Sequence, residues 1–310
     1  MRVVFLGTPD FAVASLDAIV HSSHEVCAVV TVPDRQAGRG QKVVFSPVKQ
    51  YALDHGLPLL QPDRLRDPAF LDALRALGAD IIVVVAFRML PEVVWNMPPH
   101  GTFNLHASLL PAYRGAAPIN WAIIRGERQT GVTTFLLNHQ IDEGHILLQQ
   151  STPILPSDTA GTLHDRLADM GRGLVVRTLD GLQAGTLAPA PQQGTPTTAP
   201  KIFKEDCRID FRQPGRQVAD FVRGLAPYPA ATLTLRSPQG DEVPFKIFDT
   251  AFLPDPSATP GALVCDGKKS LKIGANDGFI SILSLQMSGK KQNSIEEFLR
   301  GKNVTGWELA

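Results

Sequence analysis

Cysteine is scarce in this sequence, which has only three, Cys27, Cys207 and Cys265, far apart along the chain. Neither a Cys-x-x-Cys pair nor a cysteine–histidine cluster is present, so the residues favour neither a zinc site nor a disulfide framework. We therefore predict a reduced, cytoplasmic protein that binds no metal.

An excess of charge of one sign is also missing. The 30 lysine and arginine residues balance the 30 aspartate and glutamate residues, and this balance excludes a polybasic, histone-like nucleic-acid binder. The sequence has no apolar run near the roughly 18–20 residues that a membrane span needs. Its N-terminal MRVVFLGTPDF lacks the long apolar stretch and cleavage site of a signal peptide. We expect no membrane association and no binding to DNA.

What the sequence does have is enough apolar residues for a sizeable core, 44% of 310. At roughly 100–200 residues per domain, this length predicts about two domains. Strand and helix patterns alternate over residues 1–186, which predicts an α/β domain with an open, mostly parallel, Rossmann-like sheet. Proline, threonine, glycine and glutamine dominate residues 187–204, a predicted linker. Short strand patterns between turns follow over residues 205–310 and predict a small β-barrel.

Candidate catalytic residues stand at the end of one predicted strand, in the segment FNLHASLLPAYRGAAPINWAI. Asn104 and His106 are two residues apart near the carboxyl end of the predicted strand 102–106. Because side chains alternate along a strand, both face the same side. Ligands of open α/β sheets bind outside the carboxyl ends of the strands. The sequence thus brings an amide and an imidazole to an expected ligand site.

An acid is expected near them. Asp142 lies in a short predicted turn, within HQIDEGHILLQ, between two strand patterns. Together with Asn104 and His106 it meets the needs of acyl transfer to an amine. Amide and imidazolium donors stabilise the tetrahedral oxyanion, and a carboxylate accepts the amine proton, directly or through water. A carboxylate beside the imidazole also favours its charged form. Direct transfer of this kind needs no serine or cysteine nucleophile.

Motifs along the whole chain resemble the folate-dependent formyltransferase family. They occur in the same order in both predicted domains: GTPDFA from Gly7, PDRQAGRG from Pro33, SPVKQYA from Ser46, NLHASLLPAYRGAAPINWAI from Asn104, IDEGHIL from Ile141, KIFKEDCRIDF from Lys201, VRGLAPYPAA from Val222 and GKKQNSIEEFLRG from Gly289. The resemblance implies transfer of a formyl group from 10-formyltetrahydrofolate to the α-amine of methionyl-initiator-tRNA. It also implies an OB-like barrel that binds tRNA at residues 205–310.

The resemblance assigns roles to individual residues. The catalytic asparagine, histidine and aspartate of the family fall on Asn104, His106 and Asp142. Its folate-contacting turn falls on Ser108, Leu109, Leu110 and Pro111, and its tRNA-contacting insertion falls on Arg35, Arg39 and Lys42.

The sequence departs from the family pattern at three positions near the expected site. Arg88 stands where a glycine-like loop residue beside the pterin is expected, and we count it among the folate contacts. Glu143 and His145 stand where threonine and aspartate are more usual. These departures affect the shape of the pterin pocket rather than the chemistry.

The predicted loop after the second strand is basic. PDRQAGRGQKVVFSPVK carries Arg35, Arg39, Lys42 and Lys49 against one acid, Asp34. Such a loop suits phosphate contact, and its position at a strand end favours a function over a merely solvated surface.

Other functions fit the residues less well. GTPDF lacks the G-x-G-x-x-G fingerprint of a dinucleotide-binding dehydrogenase. A formyltransferase for an amino sugar or a purine precursor remains an alternative, but a minimal enzyme of that kind needs neither the basic loop nor the second domain. A non-enzymatic RNA-binding protein that uses the OB-like domain leaves Asn104, His106 and Asp142 unexplained.

Overall fold

The computed structural model describes residues 1–37 and 42–310. By its internal contacts the chain forms two compact units, each built from three stretches of sequence. Unit 1 comprises Met1–Gly115, Gln129–Thr152 and His164–Ala199, and unit 2 comprises Ala116–Arg128, Pro153–Leu163 and Pro200–Ala310.

Short strands and helices make up both units. In chain order the described strands are β1 (Arg2–Gly7), β2 (Glu25–Val30), β3 (Arg35–Ala37), β4 (Lys42–Val44), β5 (Leu59–Leu60), β6 (Ile81–Val85), β7 (Thr102–His106), β8 (Arg114–Gly115), β9 (Gln129–Leu136), β10 (Ile146–Pro153), β11 (Thr198–Ala199), β12 (Ala231–Arg236), β13 (Glu242–Pro254), β14 (Leu263–Cys265), β15 (Leu271–Ala275), β16 (Gly278–Met287), β17 (Gln292–Ser294) and β18 (Glu308–Leu309). The helices are α1 (Asp10–Val20), α2 (Pro47–Asp54), α3 (Pro68–Ala76), α4 (Glu92–Trp95), α5 (Pro118–Ile124), α6 (Ala160–Gln183), α7 (Gly215–Leu225) and α8 (Ile295–Gly301), with a 3₁₀ turn at Glu205–Cys207.

Unit 1 contains a seven-stranded sheet in the order β10-β9-β7-β6-β1-β2-β5. The strands from β7 to β5 pair in parallel, and β9 runs antiparallel to β7. The strand β6 reads IIVVV and is buried throughout, as expected for a strand covered on both faces. The mostly parallel, Rossmann-like sheet predicted from the sequence is therefore confirmed.

Helices cover both faces of this sheet. Val4, Leu6 and Val84 on one face belong to a cluster of buried residues that includes Phe70 and Leu74 of α3. On the other face the chain of α6 passes close to β7, since a Cβ added at Gly171 would lie 2.6 Å from the Leu105 side chain. The sheet is thus the middle layer, with α3 packed on one face and α6 close to the other.

Unit 2 is built on an antiparallel sheet in the order β14-β15-β16-β13-β12-β18, with β17 beside β16. The long strands β13 and β16 pair along most of their length, with register shifts between Ile247 and Thr250. Such irregularities bend a strand, and the sheet forms the nearly closed barrel that the sequence predicted. A buried cluster lines it, including Phe245, Ile282 and Trp307.

Sequence patterns missed several elements. The region 205–310 also contains α7 and α8, and the basic loop contains the antiparallel pair β3–β4. The predicted linker includes β11, which pairs in parallel with β8. β3, β4, β11 and α8 are only two to seven residues long, and β11 forms through a partner distant in sequence. α7 is different, because Val218, Val222 and Leu225 give it a clear apolar period that the sequence prediction overlooked. None of the helices within the described ranges 1–37 and 42–310 has the length and apolar character needed to cross a membrane.

The sheet core gives a stability prediction. Phe5 is fully buried in the middle of the sheet on β1, so Phe5→Ala leaves a cavity and should lower the free energy of unfolding by about 3–5 kcal/mol. Urea denaturation followed by far-UV circular dichroism measures this change. Leu53→Ala is the control, because Leu53 is 48% exposed on α2 and its replacement should change the value by less than about 0.5 kcal/mol. An equal loss in both variants would contradict this description of the core.

Candidate active site

Three parallel strands end side by side at one edge of the unit 1 sheet. Gly7 at the end of β1 pairs with Val85 at the end of β6, and Val85 pairs with Leu105 on β7. The residues that follow these strands therefore meet at one edge, among them Ala86 and His106. This is the edge where open α/β sheets bind ligands.

His106 is held by both of its ring nitrogens. Its Nε2 lies 2.8 Å from the carbonyl oxygen of Tyr113. A carbonyl oxygen only accepts, so Nε2 carries a proton and donates. Its Nδ1 lies 3.8 Å from Oδ2 of Asp142, and the two side chains are 7% and 13% exposed. The backbone therefore occupies Nε2, and Nδ1 is the nitrogen that faces the acid.

Asp142 is fixed in the turn between β9 and β10. Its Oδ2 accepts a hydrogen bond of 2.9 Å from the backbone N–H of Gly115. Its backbone is left-handed, with φ of +54°, a conformation that aspartate adopts more readily than most residues. Two positions on, a Cβ added to Gly144 would lie 1.5 Å from the Leu136 carbonyl oxygen. Only glycine allows the turn to approach β9 this closely, and the approach fixes where Asp142 stands.

Asn104 lies two residues before His106 on β7, in the alternation that the sequence predicted. Its side chain is half-buried. Over residues 1–37 and 42–310 no hydrogen bond to this amide is formed, so the described chain leaves its donors available to a ligand.

These three side chains combine a neutral donor, an imidazole and a carboxylate. The amide of Asn104 can donate to a carbonyl oxygen that gains negative charge. When protonated at Nδ1, His106 supplies a second donor. Asp142, with one oxygen bound by Gly115, can balance that positive charge and accept a proton. The set is suited to acyl transfer to an amine.

The turn of Ser108, Leu109, Leu110 and Pro111 follows β7 directly. The Ser108 hydroxyl donates to the Ala112 carbonyl at 2.5 Å. Thr133 of β9 braces the turn, since its hydroxyl donates to the Ser108 carbonyl at 2.6 Å and accepts from the Leu110 N–H at 3.2 Å. Gln149 of β10 donates to the Leu110 carbonyl at 2.9 Å. The turn is a rigid wall beside His106.

Arg88 lies in the loop after β6, at the same edge. Its guanidinium donates to the carbonyl oxygens of Pro62 and Asp63, which ties this loop to the segment after β5. Its Nε is buried and has no hydrogen-bond partner in the described parts of the chain. A buried donor without an acceptor is costly, so this atom is suited to a ligand that brings an acceptor.

The basic loop begins at the carboxyl end of β2. Arg35 begins β3 and Lys42 begins β4, while Arg39 lies outside the described residues. The one acid of the loop is neutralised by Lys49, whose Nζ lies 2.6 Å from Asp34 Oδ2. The hydrogen bonds from Lys49 and then Gln61 lower the pKa of the Asp34 carboxyl. Lys49 thus serves the fold of this segment.

Sequence reasoning missed a second layer of polar residues behind Asp142. Arg114 Nη1 lies 2.8 Å from Glu143 Oε1, and Arg114 also donates to Gln192. Gln192 belongs to the predicted linker and donates to two carbonyl oxygens of the Asp142 turn. The only signal was Glu143, noted as a departure from the family pattern. Among the described residues no group of three or more histidine, cysteine, aspartate or glutamate side chains could hold a metal.

Comparison with known proteins gives matches over nearly the whole chain. Residues 1–179 match the family described as formyl transferase, and residues 201–303 match the formyl transferase C-terminal domain. A methionyl-tRNA formyltransferase of Bacteroides fragilis is 53% identical over 311 residues, which cover 98% of this chain and 96% of that protein.

Solved structures share the fold at lower identity. WlaRD, a sugar 3N-formyl transferase solved in the presence of dTDP and 5-N-formyl-THF, has a TM-score of 0.66 at 18% identity, with 94% of this chain and 99% of that chain covered. HypX from Aquifex aeolicus, in complex with tetrahydrofolic acid, has a TM-score of 0.64 at 20% identity, with 96% and 47% covered.

The thiols give a prediction that tests for a cysteine nucleophile. Burial raises the pKa of the Cys27 and Cys207 thiols, so both stay protonated and unreactive at neutral pH. We expect a disulfide reagent such as DTNB to titrate only the half-buried Cys265 quickly in the folded protein, and the other two after denaturation. Rapid labelling of Cys27 or Cys207 in the folded protein, located by peptide mass spectrometry, would contradict this expectation.

Proposed function

The chain belongs to the formyl transferase family, and on that premise we propose that it transfers a formyl group from 10-formyltetrahydrofolate to the α-amine of methionyl-initiator-tRNA. The observation that carries the proposal is the approach of His106 to Asp142, with Asn104 on the same strand as His106, in a chain that is 53% identical to a methionyl-tRNA formyltransferase over 98% of its residues. The enzyme works by direct attack of the amine on the formyl carbon, through a tetrahedral intermediate.

The proposal assigns a separate function to each part of the chain. We propose residues 1–186 as the catalytic domain, residues 187–204 as the linker, and residues 205–310 as an OB-like domain that binds tRNA. These functional bounds differ from the two structural units, in which residues 187–199 belong to unit 1 and residues 116–128 and 153–163 belong to unit 2. Two pairs of exposed neighbouring lysines, Lys268–Lys269 and Lys290–Lys291, support the last assignment, because exposed cations favour phosphate binding. The enzyme acts in the cytoplasm, where charged tRNA is available.

The folate fits the edge of the sheet beside His106. The turn Ser108–Pro111 forms one wall, and Arg88 offers the buried Nε that lacks an acceptor. The donor supplies the formyl carbonyl at this edge. Leu109, which is half-buried, gives the wall apolar surface against which a flat ring can pack, and the buried Leu110 supports the turn from inside.

His106 and Asp142 handle protons in the reaction. With Nε2 committed to the Tyr113 carbonyl, His106 uses Nδ1 to stabilise the developing negative charge and to protonate the departing folate nitrogen. Asp142 supports the charged imidazole and accepts the proton of the attacking amine through a water. Asn104 positions the formyl oxygen and donates to it as charge develops.

The tRNA enters over the basic loop. Arg35, Arg39 and Lys42 contact its acceptor end. Because Asp34 is paired with Lys49, the positive charge of these three residues is not cancelled by the acid of the loop.

Radiolabelled formyl transfer tests the proposed acceptor. Methionyl-initiator-tRNA, a nucleotide-linked amino sugar and a purine-precursor amine are offered in parallel with 10-formyltetrahydrofolate. We expect rapid transfer only to the tRNA. Preferred transfer to either small acceptor would replace the proposed substrate, and transfer to none would leave an RNA-binding role.

The three catalytic residues give the first prediction of this proposal. Asn104→Ala, His106→Ala and Asp142→Ala should each lower turnover by at least about 10²–10³-fold, the loss typical of a single oxyanion donor. The circular dichroism spectrum should stay that of the wild type. Asp72→Ala is the control, since that carboxylate is 76% exposed on α3. Near-normal turnover in Asp142→Ala would remove Asp142 from the mechanism.

Arg39 gives the second prediction. Arg39→Ala should weaken tRNA binding and leave folate binding unchanged, because the folate contacts a separate segment. If Arg39 binds a phosphate, its loss removes about one unit from the slope of log affinity against log salt. A contact to a base or to the aminoacyl end would lower turnover and leave the slope intact. Unchanged tRNA affinity and turnover would show that the loop has no part in binding.

A further inference from the structure

The segment 187–199 lies against the catalytic turn of unit 1. Gln192 Nε2 donates to the carbonyl oxygen of Asp142 at 2.8 Å and to that of Gly144 at 3.0 Å. One amide group therefore holds the backbone on both sides of Glu143. The side chain of Gln192 is half-buried, whereas that of its neighbour Gln193 is exposed.

The orientation of the Gln192 amide is itself fixed. Its Oε1 accepts from Arg114 Nε at 3.2 Å and from Arg114 Nη2 at 2.7 Å. Since an arginine only donates, Oε1 must face Arg114 and Nε2 must face the turn. Arg114 is held in place by Glu143, 2.8 Å from its Nη1. Arg114, Glu143 and Gln192 thus close a ring of hydrogen bonds around the turn.

The same segment also holds the backbone that positions His106. Thr197 accepts from the Arg114 N–H through its carbonyl at 2.9 Å and from the Tyr113 N–H through its hydroxyl at 2.9 Å. Ala199 pairs with Gly115, so closely that a Cβ on Gly115 would lie 2.6 Å from the Ala199 carbonyl oxygen.

The stretch Tyr113–Gly115 therefore connects the segment to both catalytic side chains. The Tyr113 carbonyl accepts a hydrogen bond from His106 Nε2, and the Gly115 N–H donates one to Asp142 Oδ2. Both of these contacts are made by backbone atoms whose places are set by residues 197–199. A displacement of the segment would move the partners of both side chains.

We propose that Gln192 is a positioning residue of the transfer reaction, which holds the Asp142 carboxylate against His106 through the backbone of residues 142–144. This inference rests on the proposed function. It gives the predicted linker a role in catalysis. It also explains Glu143, whose carboxylate fixes Arg114, the residue that orients Gln192.

Gln192→Glu tests the proposal with little change of shape. The carboxylate keeps the volume of the side chain and its contact with Arg114, but it presents an acceptor to the two carbonyl oxygens of the turn. Gln192→Leu removes both contacts without placing a charge there. Gln193→Glu and Gln193→Leu are the matched controls at the exposed neighbour.

Steady-state kinetics give the first readout. In both Gln192 variants kcat should fall about 10–100-fold, because a shift of about 1 Å in a catalytic group can cost up to about 10²-fold. The KM values for tRNA and for the folate should stay within about twofold, and both Gln193 variants should match the wild type. A wild-type kcat in Gln192→Glu and Gln192→Leu would overturn the proposal.

A double-variant cycle separates positioning from general stability. If Gln192 acts through Asp142, then adding Gln192→Leu to Asp142→Ala should lower kcat no further. A second loss as large as that of Gln192→Leu alone would mean that Gln192 works elsewhere, and would overturn the proposal.

Hydrogen–deuterium exchange supplies a readout that needs no activity. The peptide with the Gly115 amide should exchange faster in Gln192→Glu than in wild type and Gln193→Glu, because its acceptor Asp142 has moved. Unchanged exchange at Gly115 overturns the proposal. If exchange is faster in Gln192→Glu but the wild-type protein transfers no formyl group, the proposed function is wrong, and the catalytic role of Gln192 is wrong with it. Normal transfer by both Gln192 variants leaves the proposed function intact and overturns this inference alone.

Discussion

The hydrogen bond from His106 Nε2 to the Tyr113 carbonyl oxygen determines what the site can do. It commits one nitrogen of the imidazole to the backbone and leaves the other facing Asp142. The strand β7 delivers the imidazole to the edge of the sheet, the chain beyond it supplies the carbonyl, and the β9–β10 turn supplies the carboxylate. The formyl transfer chemistry depends on the strand, the carbonyl and the turn keeping these relative positions.

Backbone conformations that most residues avoid are concentrated here. Four non-glycine residues of the described chain have positive φ, and Ala86, Tyr113 and Asp142 are three of them. A left-handed conformation costs roughly 1–2 kcal/mol for an ordinary residue, so surrounding contacts must hold it. Those contacts are present at Tyr113 and Asp142, where Thr197 and Gln192 bind the backbone. Local strain at a functional site is offset by packing and hydrogen bonds around it.

Much of this arrangement could be predicted from the sequence. The strand 102–106 has the predicted bounds, and alternation alone placed Asn104 and His106 on one face. The part played by Gln192 could not be predicted, because its partners Arg114 and Asp142 are 78 and 50 residues away. A stretch rich in proline, threonine and glutamine has no period of its own. Its order comes entirely from such distant contacts, which composition does not encode.

The chain passes between the two units at five points, the last of them after Ala199. This interleaving limits how evolution or an engineer can exchange parts of the protein. A recombination joint at residue 186, where the sequence composition changes, would separate Asp142 from Gln192 and β8 from its partner β11. A foreign C-terminal domain joined there would have to supply its own support for the turn. A joint after residue 199 would keep His106, Asp142 and Gln192 together with the pair β8–β11 in one parental sequence.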